Sequence, residues 1–78
     1  LVSDRSSFVR IQACKQKSLS IKALDRLVTD ACTEVRRLTA ERNDLRMPHV
    51  EKLISDYDRD VKWAMRKNPL FEKYYPDF

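Results

Sequence analysis

The chain has 78 residues and no glycine. That excludes devices built on a residue without a Cβ: phosphate-cradling loops, dinucleotide fingerprints, type I′ hairpin turns and glycine helix caps. A sheet joined by tight turns is disfavoured on the same ground. The single histidine, His49, leaves no second imidazole for a metal site. No apolar run approaches the roughly 18–20 residues of a membrane span. Neither an internal repeat nor a low-complexity segment is evident. Cysteine is scarce too. On a helical hairpin turning near residues 17–19, Cys14 and Cys32 would sit over about 10 Å apart along the axis, beyond bridging reach. Free buried thiols are expected, and they favour a reducing, intracellular compartment, cytoplasm or nucleus.

What is present is helical. Between Ser20 and Arg46, apolar residues fall at Ile21, Leu24, Val28, Ala31, Val35, Leu38 and Leu45. The steps alternate three and four except at Arg42, which makes a heptad seam. A helix over 20–45 would be about 39 Å long, longer than the roughly 30 Å span of a compact chain of this size. An elongated hairpin is therefore expected, or a seam shared with a second chain as a coiled-coil homodimer. Arg42 interrupts the seam. It is expected either to extend its head to water or to pair with an acid on the next helix.

Upstream, Phe8, Ile11 and Cys14 make a narrow stripe on a weaker helix over 5–17. Downstream, Met47-Pro48 marks a turn and a helix start. A third helix runs to 67, with its seam at Val50, Leu53, Ile54, Tyr57, Val61, Ala64 and Met65, and ends at Asn68-Pro69. The expected fold is all-α: a three-helix bundle with a long antiparallel helical hairpin (helices 5–17, 20–45 and 48–67) and an aromatic C-terminal tail. One domain over 1–78 is expected, a fragment or subunit of something larger, since the chain starts at Leu1 rather than methionine.

No constellation points to catalysis. Asp56, Asp58 and Asp60 alternate, so on one helix they face different ways and cannot converge on a metal. His49 reads as a first-turn surface residue, and Cys32 as packing beside the seam. Neither enzymatic activity nor a cofactor is expected.

Two surfaces are candidates for binding. Trp63 projects opposite the third helix's seam, among Arg59, Arg66 and Lys67. With Phe71, Tyr74 and Tyr75 of the tail it forms the candidate partner-binding set, since tryptophan and arginine are frequent interface hot spots. The tail aromatics are expected first to extend a thin core, and otherwise to serve as a docking peptide ordered on binding. The second surface is basic. Residues 1–26 hold six basic side chains against two acids, while the rest of the chain balances at ten each. Arg10, Lys15, Lys17, Lys22 and Arg26 are the candidates for nucleic-acid phosphates. The expected function is a protein–protein docking module or scaffold element. A nucleic-acid-contacting component of a ribonucleoprotein or chromatin assembly is the alternative, and homodimerisation through the seam a third.

Overall fold

In the computed structural model, which describes residues 7–77, the stretch from Ser20 to Arg46 is two short helices rather than one. Six helices form in all among the described residues, with no strand: α1 (Ser7–Cys14), α2 (Ile21–Leu27), α3 (Thr33–Thr39), α4 (Met47–Ile54), α5 (Arg59–Lys67) and α6 (Pro69–Tyr74). The all-α expectation is met. The turn at Met47-Pro48 and the stop at Lys67 are met as well. The long hairpin is not, because both long helices break in the middle.

Side chains that bond their own backbone cause the breaks. After α2, the Thr29 hydroxyl donates to the carbonyls of Asp25 and Arg26, and Asp30 Oδ1 accepts the Cys32 N–H at 2.8 Å. After α4, Asp56 Oδ1 accepts the Asp58 N–H at 2.8 Å, and Asp58 caps α5 by accepting from Asp60 and Val61. Short polar side chains thus offer the backbone an alternative to the helical ladder. Ser20 caps α2 and Asn68 caps α6 in the same manner.

The two breaks are equivalent, and they disclose a period of 26 residues. Leu27-Val28-Thr29-Asp30 recurs as Leu53-Ile54-Ser55-Asp56, and Leu1-Val2-Ser3-Asp4 has the same pattern outside the described residues. Two sets of hydrogen bonds repeat, the first atom for atom and the second with a different donor group. Arg10 Nε and Nη2 donate to Asp30 Oδ2 and Oδ1 at 2.7 and 3.2 Å; Arg36 Nε and Nη2 donate to Asp56 Oδ2 and Oδ1 at 2.6 and 3.3 Å. Arg42 Nη1 donates to the Cys14 and Gln16 carbonyls, both at 2.7 Å. Asn68 Nδ2, 26 residues on, donates to the Ala40 and Arg42 carbonyls at 2.8 and 2.7 Å. Here the expectation of no internal repeat fails. The repeated unit keeps only a few side chains, and spacing along one seam does not expose them.

The period dictates the packing. Helices α1, α3 and α5 stand in a row, each against the next. Helix α2 packs on α3, α4 on α5, and α6 closes over α4 and α5. The described structure measures 42 × 24 × 16 Å. Two clusters fill it: Cys14, Leu27 and Val35 toward the α1 end, and a larger one around Leu24, Val50, Leu53, Val61, Met65 and Phe71. Leu19 packs against both.

Arg42 follows neither expectation. Its guanidinium is largely buried, pairs with Asp44 at 2.7 Å and closes the carbonyl end of α1. That pairing holds the Asp44 carboxyl below its ordinary pKa. Of the ion pairs that tie distant elements, Arg36–Asp56 is the more deeply buried, with both side chains under one-tenth exposed, against 24 % for the Arg10 side chain in the Arg10–Asp30 pair.

Candidate docking face

Helix α5 buries Val61 and Met65 in the core and turns Arg59, Lys62, Trp63, Arg66 and Lys67 outward. Asp58 fixes its start and Asn68 its end, so the outward register is set from both sides. Trp63 is 62 % exposed, and the Lys67 ammonium lies 6.0 Å from its ring centroid. The turn before α5 presents Tyr57, 83 % exposed, with the Arg36 guanidinium 5.1 Å over its ring. Asp56 first, then Tyr57, raise the pKa of that guanidinium above its ordinary value.

Two open grooves flank Trp63. One, about 610 Å³, lies among Tyr57, Arg59, Asp60, Lys62, Trp63 and Arg66, three cations against one acid. The other, about 340 Å³, runs toward α3, where Arg37 is already paired with Glu34 and Glu41 at 2.6 and 3.1 Å. Each is large enough for a protein side chain or two. Only the first has a marked excess of positive charge.

The expected partner-binding residues divide. Arg59, Trp63, Arg66 and Lys67 share the outward face of α5. Phe71 does not join them: it is buried in the larger core cluster with the Arg66 guanidinium 5.7 Å over its ring. Tyr74 and Tyr75 are half-buried and pack against the same cluster. The aromatic tail is therefore helix α6 and its flank, seated on the core because Pro69 and Asn68 start a helical turn there. Tyr57 and Lys62 line the first groove as well, although neither stands in the expected partner-binding set. Tyr57 belongs to the expected buried seam, and the break at Ser55–Asp58 is what frees it.

The basic candidates are dispersed. Arg10 is bound to Asp30. Lys15 and Lys17 follow the end of α1, and Lys22 and Arg26 lie on α2. These four are exposed and make no ion pair among the described residues.

His49 is a correction. It is buried, not a surface residue: Nδ1 accepts the Arg46 N–H at 3.0 Å and Nε2 meets Asp25 Oδ1 at 2.7 Å. Accepting a backbone N–H requires Nδ1 to be bare, so the proton sits on Nε2 and is donated to Asp25. Both ring nitrogens are occupied. The groove beside it, among Ile21, Asp25, Arg46, Met47, Pro48 and Tyr74, is lined by no serine, threonine or cysteine. Cys14 is buried, with Sγ 3.5 Å from the Val35 carbonyl and from Thr39 Oγ1, and burial pushes its thiol pKa up. Cys32 is half-buried and, like Cys14, free.

Among the described residues no group of three or more His, Cys, Asp or Glu is placed to hold a metal ion. No helix there is long and apolar enough to cross a membrane. Comparison with known protein families, with curated proteins and with solved structures finds no match.

Proposed function

We propose that this chain is a non-enzymatic protein–protein docking module of a larger assembly, and that α5 is its docking face. One observation carries the reading: Tyr57 and Trp63, two large aromatics 83 % and 62 % exposed, stand mostly in water around one groove lined by Arg59, Lys62 and Arg66. Association that covers them recovers apolar burial which a small core leaves unrealised. Aromatic and arginine side chains at the centre of a patch are also where binding energy concentrates.

The test is capture from cell extract with and without nuclease treatment, with wild type and Trp63→Ala side by side. A protein held by wild type and lost with Trp63→Ala supports the reading. Loss of affinity should be about 2 kcal/mol or more, roughly thirtyfold. A protein captured equally by both removes Trp63 from the interface. Recovery that disappears with nuclease in both samples shifts the function to nucleic acid, through Lys15, Lys17, Lys22 and Arg26.

A further inference from the structure

The 26-residue period gives positions on α5 counterparts on α3 and α1. Val61 and Val35 are fully buried, each on the side of its helix that meets the preceding helix of the row or the layer beneath it. Their counterpart Val9, on the first helix of the row, is 46 % exposed. The other end of the row is open in the complementary sense. Arg10 pairs with the acid on the turn leading into α3, and Arg36 with the acid on the turn leading into α5. Lys62 holds the third such place and makes no ion pair among the described residues. Cys14 and Ala40 are buried where their counterpart Arg66 is exposed, and Trp63 stands out beside it.

Stacked helical arrays of this kind bury the faces that adjoining units share. One outer face of the row shows Phe8 and Val9; the other shows Tyr57 and Trp63 among Arg59, Lys62, Arg66 and Lys67. The two ends differ from each other. By the internal repeat, each takes the place of a helix side that already meets a neighbour inside the chain, with Arg66 standing where Cys14 and Ala40 are buried.

We infer that the α5 face seats helix α1 of a second copy of this chain, so that copies stack head to tail in the register relating α1 to α3 and α3 to α5. This rests on the reading of α5 as a docking face and names its occupant. The contact is heterologous, joining two different surfaces, and so it propagates instead of closing into a symmetric pair. The interface continues one already made twice within the chain, with an aliphatic residue of the incoming helix covered by the α5 face.

The experiment is sedimentation of the full 78-residue chain over a wide concentration range, with Val9→Glu and Trp63→Glu as variants. Both positions are solvent-facing, and unchanged far-UV circular dichroism checks that each variant folds. Wild type should increase in mean mass with concentration and reach no dimer plateau. Each variant alone should associate at least tenfold more weakly. An equimolar mixture of the two should form a dimer and stop there, because Val9→Glu keeps an intact α5 face and Trp63→Glu keeps an intact α1 face. Variants that associate as wild type does overturn the inference, as does a mixture that stays monomeric while wild type associates. A wild type that stays monomeric throughout overturns it too. In that last case, Trp63-dependent capture of a different protein still upholds the docking reading, whereas capture indifferent to Trp63 defeats both.

Discussion

Replacing Asp56 by alanine should cost this fold more than any other single charge removal on the turns. The Arg36 guanidinium, 5 % exposed in its side chain, gives two hydrogen bonds to Asp56 at 2.6 and 3.3 Å and one to the Asp30 carbonyl at 2.6 Å. Without the carboxylate, the cation stays buried with one carbonyl and the Tyr57 ring for company. Breaking a buried pair by removing one member costs about 3–5 kcal/mol. The surviving carbonyl contact puts the expectation at the low end, about 3 kcal/mol. A chain of this size has a total stability of about 4–12 kcal/mol, so the variant should lose a quarter or more of it. The midpoint of thermal unfolding should fall by about 12–24 °C, at roughly 4–8 °C per kcal/mol. The equivalent change, Asp30→Ala, should cost distinctly less, because the Arg10 side chain is already 24 % exposed and water can replace its partner. Urea unfolding followed by far-UV circular dichroism measures both. Equal losses in the two variants, or a loss under about 1 kcal/mol for Asp56→Ala, would refute the assignment of Arg36–Asp56 as the buried tie between repeats.

Other consequences are more local. Native Cys14 should react with iodoacetamide far more slowly than Cys32, since its thiol is buried and its pKa raised; equal rates would contradict the α1–α3 packing. Acid should destabilise the chain partly through Asp44, whose folded pKa is lowered by Arg42. Its contribution is complete above the unfolded carboxylate range, near pH 4, and is lost as pH falls through the lower folded value. Asp44→Asn should therefore lower stability at pH 7 and make little difference near pH 2. A constant deficit at both pH values would assign the loss to packing.

The helical class and several ends were legible from the residues. Met47-Pro48 and Asn68-Pro69 set helix boundaries through proline geometry, which needs no tertiary context. The breaks at Thr29-Asp30 and Ser55–Asp58 were legible in principle, for clusters of threonine, serine and aspartate compete with the helical ladder. An apolar seam that runs on through them hides that competition. Leu24, Val28 and Val35 are buried as the seam implies, yet from two helices and into two clusters. The role of Arg36 was out of reach, because its partner lies 20 residues away on a turn that spacing does not reveal. His49 was misplaced for the same reason: a position in a first turn says nothing of Asp25 across the fold. For the face itself, Trp63 was visible as the residue opposite the seam. Phe71 was not separable from it, since an aromatic near a terminus serves a core or a partner equally well until its neighbours are known.

Trp63 is the only tryptophan in the chain, so its emission reports on the docking face directly. The measurement to make is its emission maximum as the concentration of the 78-residue chain rises through the range in which sedimentation shows association. Covering of the α5 face by another copy predicts a progressive shift to shorter wavelength that tracks the rise in mass, and no such shift in the Val9→Glu variant. Emission that stays at the value of a water-exposed indole while the mass rises would place the contact elsewhere and contradict the account.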